Sequence, residues 1–260
     1  MAGATATGIK KEVFRIKAII LCAGYATRLY PLTRNKPKPL LSVGGKPIIE
    51  HIIGRLDGIG SLDAIYVVTN DKFSSHFNEW KKGLRHPKEI VIVNDGTLSN
   101  EDRLGAIGDI HFVIERERID DDVLVIGGDN LFEFSLLHLH GFFLKKKRSV
   151  VALYDVKDRK LASQYGIVSL DSSHRIIDFQ EKPAKPKSTL ASTACYIFSK
   201  DDITELGKCI REHRKPDNLG DFIKYLSSHR EVYGFAFTER WFDIGSHEQL
   251  READEWWSAR

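Results

Sequence analysis

Five short apolar runs, at residues 18–22, 64–70, 89–94, 123–127 and 150–154, limit the fold of this chain more tightly than any other feature. Each has strand length, is rich in valine and isoleucine, and is mostly unalternated, as expected of strands covered on both faces. Helix-period segments lie between them. From Pro47 to Ile59, Ile48, Ile49, Ile52, Ile53, Leu56 and Ile59 share one helical face, and Pro47 suits a first turn. Residues 104–118 and 135–147 read as further helices. This strand–helix alternation predicts a parallel sheet between helical layers.

After about residue 160 the rhythm changes. Residues 166–170, 175–181 and 194–198 read as strands without long helices between them, an appended or antiparallel part suited to a second substrate. Helices at 201–213 and 219–229, a strand at 231–237 and a last helix at 246–257 follow. Leu250, Ala253 and Trp257 form a stripe on that last helix. It docks either on the core or on another copy of the chain, so a homo-oligomer stays open.

The 260 residues suffice for one large α/β domain or two small ones. A single domain over 17–260 is expected, preceded by a disordered leader at 1–16. Its first part spans about 17–135, its second about 136–245, and its terminal helix 246–257. A balance of 39 basic against 36 acidic residues argues against nucleic acid as the main partner. No run of eighteen apolar residues exists to span a membrane, and the first dozen residues lack a signal-peptide core. Cys22, Cys195 and Cys209 are isolated, which supports neither a zinc site nor a disulfide framework and fits a reducing cytoplasm.

The first apolar run leads into AIILCAGYATRLYPLTRNKPKPLL, residues 18–41. Arg28, Arg34, Lys36 and Lys38 gather there on a loop stiffened by Pro31, Pro37 and Pro39. Ligands of open α/β sheets bind at the carboxyl ends of strands. Ala23 and Gly24 let backbone N–H groups approach an anion, Arg28 offers a forked guanidinium and Lys38 a mobile point charge. Together they describe a polyphosphate cradle; the bland alternative is a solvated basic loop. A Walker loop fails because Gly44-Gly45-Lys46 is followed by Pro47. A dinucleotide fingerprint fails for want of spaced glycines.

Two carboxylates stand out further on. Asp129 ends a dry strand in VLVIGGDNLF, and Asp243 precedes the last helix in RWFDIGSHEQL. Mg²⁺ takes oxygen ligands, commonly one or two carboxylates with phosphate and water. Each aspartate read by itself equally suits a turn cap.

The segments Leu21-Cys22-Ala23-Gly24-Tyr25-Ala26-Thr27-Arg28-Leu29 and Pro37-Lys38-Pro39-Leu40-Leu41 resemble the signature of sugar-1-phosphate nucleotidylyltransferases. The resemblance extends over roughly residues 17–250. It implies a Rossmann-like three-layer α/β/α fold with a mixed, mostly parallel central sheet. It also implies Mg²⁺-dependent attack of a sugar 1-phosphate on the α-phosphorus of a nucleoside triphosphate, yielding an NDP-sugar and pyrophosphate. By this likeness Arg28 and Lys38 hold the triphosphate beside Leu21, Ala23 and Gly24. Asp129 (in G-D-N) and Asp243 (in W-x-D-I-G) hold the metal. Tyr165-Gly166 and Glu181-Lys182-Pro183 match Y-G-V and E-K-P; Gly166 and Glu181 are then expected on the sugar and Lys182 on its phosphate, with Tyr165 and Thr193 nearby.

Departures from the family pattern are informative. Ala26 stands at a usual glycine. Ser192-Thr193-Ala194-Cys195-Tyr196 replaces N-x-G-x-Y, which puts glucose 1-phosphate in doubt as the acceptor. Leu104-Gly105-Ala106 resembles a base-reading turn in which Gly105 meets the base. Asn94 or Asn100 supplies the amide expected there, which favours a pyrimidine nucleotide. Two rival readings stay beside this one: a cytidylyltransferase acting on phosphocholine or another phosphoalcohol, and a non-catalytic nucleotide-sugar sensor. An NAD-type oxidoreductase lacks its glycine fingerprint.

Overall fold

The structure is a computed structural model that describes residues 15–212 and 218–260. The expected leader therefore lies almost wholly outside the described residues, and the first strand begins at Ile16. No helix among the described residues is long and apolar enough to cross a membrane.

A nine-stranded mixed sheet forms the middle layer. Its parallel half runs Asp122–Gly127, Ile16–Leu21, Leu62–Thr69 and Glu89–Asn94. Successive residues of the first strand face opposite cores, with Ala18 and Ile20 on one side and Ile19 on the other. That two-sided burial is why these runs carry no polar alternation. The helix Ile48–Leu56 covers one face through Ile48, Ile49, Ile52, Ile53 and Leu56, all buried. Each such side chain contributes roughly 1.5–3 kcal/mol by leaving water. Gly105–Glu117 covers the other face through Ile107, Ile110 and Val113.

The other half is built on the long strand Leu190–Phe198. Its far end pairs antiparallel with Asp122–Gly127, its near end with Gly166–Leu170, and its other edge with Val150–Asp155. Ile176–Glu181 then forms the sheet edge. The register shifts between Ser192 and Tyr196, where Ala194 takes φ 51°. The strand is four residues longer than the 194–198 expected, because its first half is polar and bulged.

Further differences have local causes. The helix Asp71–Gly83 has no counterpart in the sequence reading; only Phe73 and Phe77 on it are buried, too thin a stripe to register. The helix expected at 201–213 is two short ones, Lys200–Ile203 and Leu206–Glu212, and residue 213 lies outside the described residues. The last helix, His247–Ser258, docks on its own core: Ala253 is fully buried and Trp257 packs on Phe242 and His51. Gly44 is tied to it by an N–H donated to Asp254, and a Cβ at Gly44 would lie 2.7 Å from the Trp257 Cβ.

Candidate active site

The carboxyl ends of Ile16–Leu21 and Asp122–Gly127 open into a cavity of about 900 Å³. Leu21, Arg28, Asp129, Tyr165, Gly166, Glu181, Lys182 and Asp243 line it. These come from sequence positions more than two hundred residues apart, and the sheet brings them to one place.

The opening loop is held from below. Asn70 donates its amide N–H to the Ala23 carbonyl at 2.8 Å and accepts the Phe73 N–H at 3.0 Å, so one buried side chain anchors the loop and caps a helix. Ala26 takes a left-handed backbone, φ 48° and ψ 42°, and Thr33 donates its hydroxyl to the Ala26 carbonyl at 2.8 Å. This turn throws Arg28 toward the cavity, within 3.6 Å of where a Cβ on Gly245 would stand. Of the four loop cations, Arg28 reaches the cavity and Lys38 reaches Asp129, whereas Arg34 and Lys36 are exposed and line no part of it.

Asp129 and Asp243 meet through two three-residue strands, Asn130–Phe132 and Trp241–Asp243, paired antiparallel with Asn130 opposite Asp243. The Ile244 N–H donates to the Asp129 carbonyl at 3.0 Å, closing the join. Lys38 donates to Asp129 Oδ2 at 2.7 Å and to the Ile244 carbonyl at 2.8 Å, so one ammonium spans both segments. Two glycines make room. A Cβ on Gly128 would come within 2.6 Å of Cys22 Sγ and 2.7 Å of the Leu21 carbonyl; one on Gly127 would crowd Asn130 and Asp129.

Charge divides the two carboxyls. Burial works to raise the Asp129 pKa, but the charge and hydrogen bond of Lys38, with the Asn130 amide, hold it below the ordinary carboxylate range. Asp243 is pushed up to about 6, by burial first and the Asp129 charge second, against the pull of Lys38, Arg28 and Lys182. Both carboxyls face the same cavity. Two hard oxygen donors there suit Mg²⁺, which takes one or two carboxylates and fills its remaining positions from phosphate and water. Among the described residues no group of three or more His, Cys, Asp or Glu side chains is arranged to hold a metal ion.

At the far end, Gly166 lies under Phe179 and Glu181: a Cβ there would stand 2.6 Å from the Phe179 ring and 3.1 Å from Glu181 Oε2. Burial raises the Glu181 pKa, with Lys182 opposing and Asp221 adding to the rise. Lys182 has φ 41° and donates its N–H to the Tyr165 carbonyl at 3.1 Å, which fixes the turn presenting its side chain. The Ser192 and Tyr196 hydroxyls lie 2.9 Å apart, and both residues line the cavity.

Other expected residues sit elsewhere. Thr193 is buried and donates to the Ala152 carbonyl at 2.9 Å, turned away from the cavity between Ser192 and Ala194, which face it. Asn94 is engaged with Asp71 and the Gly96 N–H, and Asn100 is exposed; neither lines the cavity. Ala23, Gly24 and Gly105 lie just outside it, with Ala106 at the rim. Gly105 has φ 76° at the start of its helix, a conformation suited to glycine. Gln164, Asn218, Gly220, Glu248 and Gln249 line the cavity without having been expected. Gln249 and Ser246 were signalled by the S-x-x-Q spacing of a helix start: the Ser246 hydroxyl accepts the Gln249 N–H and Gln249 accepts the Gly245 N–H.

A mixed sheet whose strand ends open on one cavity lined by cationic and acidic groups belongs to the class of α/β folds that bind ligands at the carboxyl ends of strands. Within that class, the chain belongs to the nucleotidyl transferase family, whose sequence profile matches residues 17–258. It is 34% identical over 239 residues to the bifunctional protein GlmU of Methanocaldococcus jannaschii, an alignment covering 92% of this chain and 53% of that one. It is 29% identical over 267 residues to the glucose-1-phosphate adenylyltransferase of Clostridium acetobutylicum, covering 94% and 67%. The chain spans about half the length of the GlmU relatives it matches. A structure of UDP-glucose pyrophosphorylase complexed with UDP-glucose shares the fold, with a TM-score of 0.81, 20% identity, and coverage of 95% of this chain and 100% of that one.

Proposed function

We propose that this chain transfers a nucleotidyl group from a nucleoside triphosphate to a sugar 1-phosphate, releasing pyrophosphate and forming an NDP-sugar. One observation carries the reading: Asp129 and Asp243, joined across paired strands, line a single cavity together with Arg28, Glu181 and Lys182. The names of the relatives, which include a glucose-1-phosphate adenylyltransferase, support the same class.

The triphosphate lies along the opening loop, its charge met by Arg28 and Lys38 and by backbone near Leu21, Ala23 and Gly24, with the base toward Gly105 and Ala106. Asp129 and Asp243 would hold Mg²⁺, which supplies charge neutralisation on the transferring phosphoryl oxygens. Lys182 binds the acceptor phosphate, while Tyr165, the Gly166 backbone and Glu181 orient its sugar. An oxygen of the acceptor phosphate forms a bond to the α-phosphorus as the bond to pyrophosphate breaks. The acceptor is already anionic, so no general base is needed; positioning and neutralisation of charge supply the rate. Neither Asn94 nor Asn100 lines the cavity, so the proposal carries no pyrimidine preference. Ser192, shorter than an asparagine and paired with Tyr196, argues for an acceptor other than glucose 1-phosphate.

Pyrophosphate release measured over a grid of nucleoside triphosphates and phosphorylated acceptors with Mg²⁺ tests this. Turnover with at least one sugar 1-phosphate is expected. Turnover with phosphocholine alone would replace the acceptor class, and nucleotide-sugar binding without turnover anywhere on the grid would make the chain a sensor.

A further inference from the structure

We infer that Asn130 and Trp241 are positioning residues, a directional hydrogen-bond chain that fixes the Asp129 carboxylate in the orientation a cation requires. The inference rests on the metal-site reading above. Trp241 Nε1–H donates to Asn130 Oδ1 at 2.7 Å. An indole can only donate, so it dictates which end of the amide faces it. The amide nitrogen is thereby turned to Asp129 and donates to Oδ1 at 2.8 Å. Oδ2 is left for a positive charge, and Lys38 stands there at 2.7 Å.

The reversed amide would oppose donor to donor at the indole and leave Asp129 Oδ1 without its partner. Asn130 is only 2% exposed, so water does not repair that loss. The indole itself is held by rings: Tyr165 at 5.2 Å and Tyr154 at 5.7 Å between centroids. Gly127 keeps the space clear, since a Cβ there would lie 2.9 Å from Asn130 Nδ2 and 3.1 Å from Asp129 Oδ1. The same side-chain bond also ties Asn130–Phe132 to Trp241–Asp243, two strands in whose ladder Asn130 stands opposite Asp243. Tyr165 lines the acceptor end, so Trp241 connects sugar binding to the carboxylate pair.

The test uses Mn²⁺ alone, its binding to the folded protein read from loss of the free-ion paramagnetic resonance signal. Trp241→Phe keeps the ring packing and deletes one donor; Asn130→Ala deletes the whole link. Each is expected to weaken Mn²⁺ binding about tenfold or more, the range seen when partners of metal ligands are removed. The double variant should bind no worse than Asn130→Ala, because the indole acts only through the amide. A melting temperature of Trp241→Phe near that of the wild type separates positioning from folding. If Trp241→Phe binds Mn²⁺ like the wild type while Asp129→Asn abolishes binding, the positioning role is refuted and the metal site stands. If Asp129→Asn leaves Mn²⁺ binding unchanged, the metal site itself is wrong and this inference falls with it.

Discussion

The two ends of the cavity are made by different means. The end proposed for the nucleotide is a set of loops leaving the tips of parallel strands, and its polar groups are largely backbone and cations drawn from 18–41. The end proposed for the acceptor is the face of an antiparallel patch, where Gly166, Glu181 and Ser192 arise from three different strands and Asn218 and Gln249 from helix starts. Loop chemistry is contiguous in sequence and tied to one turn geometry. Face chemistry depends on strand alternation, so the neighbour of a lining residue points away, as Thr193 does between Ser192 and Ala194.

The sharpest attempt to break this division is at the seam. Asp129→Asn should lower turnover by at least ~10²-fold whichever substrate is varied, as loss of preorganised charge stabilisation does; near-normal steady-state rates would remove Asp129 from the chemistry. Lys182→Ala should act on one end only. We expect roughly 10–100-fold off kcat/KM for the acceptor, the scale of a hydrogen bond to a charged group, with the triphosphate KM unmoved. Equal losses for both substrates would dissolve the two-ended picture.

The pH response is the next largest effect. Below pH 6 Asp243 carries a proton, so the pair presents less negative charge; Mn²⁺ affinity should climb between pH 5 and 7 and then level. In Asp129→Asn the neighbouring charge is gone, so the Asp243 carboxyl should titrate at lower pH, read by ¹³C NMR of that carboxyl. The smallest effect compares two alanines at positions where the family usually has glycine. Ala26 and Ala194 both hold positive φ. Ala→Gly at either should stabilise by about 1 kcal/mol in denaturant melts, by relieving left-handed strain. Only Ala194→Gly should change the acceptor KM, since Ala194 lines the cavity and Ala26 does not.

Those contrasts explain what could be read without coordinates. The parallel half was legible because burial on both faces leaves unbroken apolar runs, and Arg28, Lys38, Asp129 and Asp243 sit in compact motifs. The strands Asn130–Phe132 and Trp241–Asp243 were not, since three residues have no period to detect. The Asp71–Gly83 helix escaped because two phenylalanines four apart are a weak stripe. Asn94 and Asn100 are near the base-reading turn only in sequence: Asn94 is held at its strand end by Asp71 and the Gly96 N–H, and neither lines the cavity.

The pairing of residues 130–132 with 241–243 joins two carboxylates that are made more than a hundred residues apart. A nascent chain released up to Phe237 already possesses every strand of the main sheet and a single carboxylate of the pair. Such an intermediate can fold its sheet before Trp241–Asp243 emerges, so assembly of the scaffold and completion of the carboxylate pair are separated in time.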